Sequence, residues 1–137
     1  MSALSSPSDL PISTLTGDSV VCVAPTAPHR EVADVLSAQG ISAAGVGSPS
    51  ELVGIVTERD LVQAVARELD PAATPVGEIA HTDLVWAAPD ASVAEVANEM
   101  LERWVRHILV GDAADLVGIV SSRDLLAVYA SSTDDAG

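Results

Sequence analysis

The segment Leu52-Val53-Gly54-Ile55-Val56-Thr57-Glu58-Arg59-Asp60-Leu61 recurs as Leu116-Val117-Gly118-Ile119-Val120-Ser121-Ser122-Arg123-Asp124-Leu125. No other feature constrains the fold as strongly, because the chain is then one supersecondary unit used twice. The register continues without a gap outside this segment. Pro11 matches Pro75, Pro25 matches Pro89, Glu31 matches Glu95, Val32 matches Val96 and Gly47 matches Gly111. A half-length unit is marginally stable alone, so the repeats are expected to pack face to face through their sheets.

Each repeat reads in the same order. Val20-Val21-Cys22-Val23 and Leu84-Val85-Trp86-Ala87 are apolar runs closed by Ala-Pro, which predicts short strands. A helix follows each. Ser92 and Glu95 form a capping-box pattern, and Val93, Val96, Ala97, Met100, Leu101 and Trp104 follow at helical spacing. In the first repeat Val32, Val35 and Leu36 make the stripe, and Gly40 stops it. A hairpin comes next, with strands 41–46 and 52–56 flanking a five-residue turn, then 105–110 and 116–120 flanking another. Thr57 and Ser121 are N-caps of a second helix, which runs to Leu69 in the first repeat and Tyr129 in the second. A Pro-led segment precedes each unit, at Pro11 and at Pro75. The expected fold is therefore α+β, with two pseudo-symmetric strand-helix-strand-strand-helix domains at 11–70 and 71–130. Residues 1–10 and 131–137 are expected to be loose.

Composition narrows the function. The chain carries six Lys plus Arg, all of them Arg, against 20 Asp plus Glu, for a formal net charge of −14. Nucleic acid and anionic membranes both call for a basic surface, so neither is expected as a partner. The acidity itself reads as solubility. The single cysteine, Cys22, excludes an internal disulfide and reads as a buried inert thiol. His29 and His81 have no ligand-like spacing to each other or to Cys22, so no metal site is expected. No apolar run approaches the roughly 20 residues of a membrane span, and no basic-then-apolar leader opens the chain. The expected location is the cytoplasm. No nucleophile triad or phosphate loop appears, so no catalytic residue is assigned and an enzyme is not expected.

The signatures Gly-Ile-Val-Thr-x-x-Asp at 54–60 and Gly-Ile-Val-Ser-x-x-Asp at 118–124 carry a resemblance. With Ala-Pro before the first helix and Val105-Arg106-His107-Ile108-Leu109-Val110, they resemble the cystathionine-β-synthase (CBS) domain family over residues 11 to 130. A tandem pair of this kind is a Bateman module. The resemblance implies a stand-alone regulatory protein that binds an adenosine-containing ligand in clefts between the two repeats. AMP, ADP, ATP or S-adenosylmethionine are the possible ligands, and no cofactor is required. It also implies a homodimer, and an unidentified protein partner to receive the signal.

Asp60 and Asp124 fall in the first turn of a helix, where a carboxylate can accept both hydroxyls of a ribose. The helix start favours a phosphate, and Thr57 and Ser121 place a hydroxyl beside it. Each Thr/Ser-x-x-Asp is equally a helix cap, and the two roles coexist. The resemblance implies that Asp60 and Thr57 lead a cleft that includes Ile55, Thr82 and Val105. Asp124 and Ser121 would lead another that includes Ile119, Asp18, Ile41 and Ser42. Arg106 and His107 stand where related modules place phosphate contacts. The chain departs from symmetry here, because Ser42 and Ala43 match Arg106 and His107. Asp18 stands opposite Thr82, where it repels an anion or favours a cationic adenosyl ligand. Arg59 and Arg123 read as phosphate contacts or as an exposed helix face. Trp86 reads as an adenine-stacking or packing residue, and Trp104 as packing, between protomers. The alternative function is a ligand-independent interaction and dimerisation module with vestigial clefts. An ATP hydrolase and a magnesium sensor are further, weaker rivals.

Overall fold

Val56 pairs with Ala44 across a short antiparallel hairpin, and with Val46 these side chains belong to the buried cluster around which the first repeat assembles. In the computed structural model, which describes residues 6–17 and 20–136 (131–136 by backbone alone), the repeat runs β1 (Cys22–Val23), α1 (His29–Gln39), β2 (Ala43–Ser48), β3 (Glu51–Thr57) and α2 (Glu58–Ala66). The second repeat runs β4 (Trp86–Ala87), α3 (Val93–Arg103), β5 (His107–Asp112), β6 (Asp115–Ser121) and α4 (Ser122–Ala136). Each forms a three-stranded sheet, in the orders β1-β2-β3 and β4-β5-β6. The first strand lies parallel to the second, with Cys22 opposite Gly45 and Trp86 opposite Leu109. The fold is α+β, with the expected element order in both repeats.

Helix boundaries follow local chemistry. Gly40 ends α1 at φ 65°, a left-handed conformation that glycine adopts without steric cost. Ser92 caps α3 by accepting from the Glu95 amide at 3.1 Å. The expected extent of α2 is too long: it stops at Ala66, Arg67 caps it, and Glu68 turns left-handed at φ 58°. The hairpins also differ from expectation. The connection between β2 and β3 is two residues, Pro49-Ser50, not five, because Gly47 stays in the ladder as a bulge beside Val46. Gly47 adopts φ 114°, and a Cβ there would lie 2.5 Å from the Glu51 carbonyl oxygen.

The Pro-led segments are not spacers. After Pro75 the Val76 amide donates to the Ala27 carbonyl at 2.7 Å and the Gly77 amide to Pro25 at 2.9 Å. After Pro11 the Ile12 amide donates to Ala91 at 2.7 Å and the Ser13 amide to Pro89 at 3.0 Å. Contacts accordingly divide the chain into two compact units that cut across the sequence repeats. One holds Val20–Leu84 with Ala113–Leu116; the other holds the N-terminal segment, Val85–Asp112 and the chain from Val117 onward. The core of the first is Val32, Leu36, Ala44, Val46, Val56 and Val76. The core of the second includes Ile12, Val96, Met100, Ile108, Val110 and Val120. Val76 and Ile12 are fully buried, so each core is completed by a side chain from the segment that leads the other repeat. Burying one such side chain contributes about 1.5–3 kcal/mol.

Of the segments expected to be loose, residues 6–10 and the backbone of 131–136 are described, and residues 1–5 and 137 lie outside the described residues. Pro7–Asp9 forms a 3-10 turn, Leu10 packs on the core of its unit, and the Leu10 carbonyl accepts from the Val93 amide at 2.9 Å. α4 is helical through Ala136, because nothing between Leu125 and Ala136 removes an amide or breaks the ladder. Among the described residues no helix is long and apolar enough to cross a membrane.

Candidate functional site

Thr57 closes β3 in an extended conformation and caps α2. Its side chain accepts from the Asp60 amide at 3.3 Å, and its own amide donates to Asp60 Oδ2 at 2.8 Å. This reciprocal pair is a capping box, and it fixes the Asp60 carboxylate at the helix start. The Thr57 hydroxyl also lies 3.1 Å from the same Oδ2. Ser121 and Asp124 repeat the arrangement, with 2.8 Å from the Ser121 amide to Asp124 Oδ2 and 3.1 Å from the Asp124 amide to the Ser121 hydroxyl.

Neighbouring backbone completes each helix start. The Glu58 amide donates to the Ser42 carbonyl at 3.0 Å, and the Ser122 amide to the Arg106 carbonyl at 2.8 Å. The amides of Thr57, Glu58 and Asp60 are thus all engaged. What α2 presents at its start is a positioned carboxylate, not an open nest of N–H groups.

Asp60 has a partner beyond its own capping box. His81 Nδ1 lies 3.0 Å from Asp60 Oδ2. His81 is set there by an isolated antiparallel bridge to Ile55, with both amides donating at 3.0 Å. The signature glycine permits that approach, since a Cβ at Gly54 would lie 2.7 Å from the His81 carbonyl oxygen. The matching residue in the other repeat is Gly17, which has no ring to offer. Asp60 and Asp124 therefore sit in different surroundings. The Asp60 side chain is 12% exposed, whereas Asp124 lies on the surface.

The expected site residues fall into two groups. Thr57, Asp60, Ile55, Ile41, Ser42 and Thr82 belong to one unit. Ile55 is buried and takes part through its backbone, while Thr82 is exposed beside His81. Ser121, Asp124, Ile119, Val105, Arg106 and His107 belong to the other unit. Arg106 is exposed and His107 is half-buried. Asp18 lies outside the described residues. Sequence reasoning missed His81 as the partner of Asp60. The available signal was its position immediately before Thr82, in a segment already assigned to the site.

Other candidates contribute less. Trp86 is half-buried in β4, and Trp104 is 93% exposed at the end of α3. His29 is buried, with Nδ1 3.1 Å from the Thr74 carbonyl, which ties α1 to the linker. Burial pushes the Cys22 thiol above its ordinary pKa, which keeps it protonated and unreactive at neutral pH. Among the described residues no group of three or more His, Cys, Asp or Glu side chains could hold a metal ion.

Comparison with known proteins gives a consistent picture. The CBS domain family matches the chain twice, over residues 12–67 and 76–131. The chain is 30% identical over 118 residues to the CBS domain-containing protein YhcV of Bacillus subtilis, covering 86% of this chain and 84% of that protein. Among solved structures it is similar to the CBS domain protein PAE2072 from Pyrobaculum aerophilum complexed with AMP. The TM-score is 0.75 and the identity 30%, over 88% of this chain and 99% of that one. It is also similar to a protein with CBS domains from Burkholderia ambifaria, with TM-score 0.76 and 30% identity, over 82% and 84% of the two chains.

Proposed function

The chain belongs to the CBS domain family, with two such domains in tandem, and from that premise we propose that it is a regulatory module that senses an adenosine-containing ligand. One observation carries the reading: the Asp60 carboxylate is fixed at the start of α2 by Thr57, and Asp124 is fixed in the same way by Ser121. A carboxylate held there is an acceptor for ribose hydroxyls. The AMP complex of the similar PAE2072 protein supports AMP as the first ligand to try. ADP, ATP and S-adenosylmethionine follow.

In this reading the protein is cytoplasmic, catalyses nothing, pairs as a homodimer and passes its state to a separate protein. Ligand acts by binding one arrangement of the module better than another. In this reading Ile55 and Thr82 join Asp60, Ile119 joins Asp124, and Arg106 with His107 supplies a phosphate contact.

Thermal unfolding with each nucleotide tests this. A ligand at about 100 times its Kd adds roughly 2.7 kcal/mol of stability. A raised midpoint with AMP, lost in Asp60→Ala or Asp124→Ala, is the expected result. No rise with any of the four ligands would overturn the reading.

A second reading is a ligand-independent interaction module. The exposure of Leu101 (75%) and Trp104 (93%) on α3 favours it. Sedimentation would support it if association were unchanged by nucleotide and lost on Leu101→Ser.

A further inference from the structure

We propose that His81 is an intramolecular latch on the Asp60 carboxylate: without ligand its imidazole holds an acceptor that an incoming ligand needs, and the ring must swing away before that site fills. The proposal concerns the regulation of the Asp60 site and rests on the adenosine reading. It starts from the 3.0 Å contact between His81 Nδ1 and Asp60 Oδ2.

A carboxylate only accepts hydrogen bonds, so Nδ1 donates in that contact. The Asp60 side chain is 12% exposed although it stands in the first turn of a helix, and the ring beside it is 42% exposed. The second repeat supplies the comparison. The same capping box holds Asp124, Gly17 stands at the position matching His81, and Asp124 lies exposed. One chain thus presents the same capped carboxylate with and without a histidine at the matching position, and the covered carboxylate is the one with the ring.

Of the two partners in the contact, the ring is the one that yields. Asp60 Oδ2 also accepts from the Thr57 amide at 2.8 Å and lies 3.1 Å from the Thr57 hydroxyl, so moving the carboxylate undoes the start of α2. The His81 backbone is held apart from its ring, through the paired amides of His81 and Ile55. The His81 carbonyl is seated so close to Gly54 that a Cβ there would lie 2.7 Å away. The segment therefore stays while the side chain rotates toward the solvent that already reaches it. Only the released form offers the carboxylate, so affinity falls by the fraction of molecules that are latched.

The test is calorimetric titration of AMP into Asp124→Ala protein, which isolates the Asp60 site, and into the same protein carrying His81→Ala, His81→Phe or His81→Asn. Alanine and phenylalanine lack the donor, and both should bind AMP roughly threefold to tenfold more tightly than the parent, the scale of one hydrogen bond. Asparagine keeps an N–H donor for Asp60 and should stay near the parent. A gain in His81→Ala that is absent in His81→Phe shows that the ring blocks by size and overturns the hydrogen-bonded latch. Unchanged or weaker binding in His81→Ala, with binding lost in Asp60→Ala, also overturns it and leaves the adenosine reading intact. If Asp124→Ala protein binds no AMP, binding gained on adding His81→Ala supports the latch, and continued absence overturns it. Absence of AMP binding in the unaltered protein and in every variant overturns the adenosine reading itself. Nitrogen-15 NMR of the ligand-free, unaltered protein reads the latch without any ligand: a proton on His81 Nδ1 is expected, and a proton on Nε2 alone would overturn it.

Discussion

At the residue scale, matching positions solve the same problem with different chemistry. Gly40 ends α1 at φ 65°, and Trp104 occupies the matching position after α3 at φ 58°. The left-handed region suits glycine; for a tryptophan it crowds Cβ against the following carbonyl. Trp104 is 93% exposed, so its packing returns almost nothing within the chain. Trp104→Gly should therefore stabilise the isolated protein by about 0.5–1 kcal/mol, a balance of relieved strain against added unfolded-state freedom. Urea unfolding at low protein concentration measures this. A loss of stability that grows with protein concentration would instead show that a second copy covers the tryptophan. Residue-level chemistry was partly legible in the sequence. Thr57, Ser121, Ser92 and Gly40 announce helix ends because caps act within a few residues. Trp104 as a left-handed cap and His81 as a partner for Asp60 were not legible. The first breaks a propensity rule, and the second depends on the Ile55–His81 bridge, which joins residues far apart in sequence.

At the element scale, the Pro-led segments matter more than their length suggests. Pro75 and Pro11 each open a 3-10 turn in which one apolar residue is fully buried, Val76 and Ile12 respectively. Val76 packs into the core that also holds Val32, Leu36 and Val56. Val76→Ala should cost about 1–3 kcal/mol, transfer and cavity terms together. The loss should appear in the first repeat: hydrogen exchange should quicken in α1 and β2. Faster exchange confined to α3 and β5 would contradict the core assignment. The hairpins teach a related lesson. Gly47 and Gly111 read as turn residues, yet both continue a strand, at φ 114° and 120°. A glycine beside a turn signals left-handed backbone either way, and composition does not separate a longer loop from a bulge.

At the scale of the whole molecule, the repeat was legible and the way its parts are shared was not. Periodicity locates strands and helices within a window, but it carries no information about which core a short leading segment enters. The repeats suggest a cut after Asp70, into 1–70 and 71–137. The contacts place Val20–Leu84 together and assign the N-terminal segment to the other unit. Cutting after Asp70 would leave the first repeat without Val76, and the second without Ile12 and the Leu10 carbonyl that receives the Val93 amide. Each fragment would then lose one fully buried side chain and several backbone hydrogen bonds, a large share of the few kcal/mol that hold a small domain. Fragments 1–70 and 71–137 should each lack a cooperative thermal transition and regain one when mixed. A fragment spanning 20–84 keeps Val76, the Ile55–His81 bridge and the Asp60–His81 contact. It should hold more structure by circular dichroism than a fragment spanning 11–70, which is nearly as long. If 11–70 proved the more ordered of the two, the sequence repeat would be the folding unit and the exchanged segments a late addition to it.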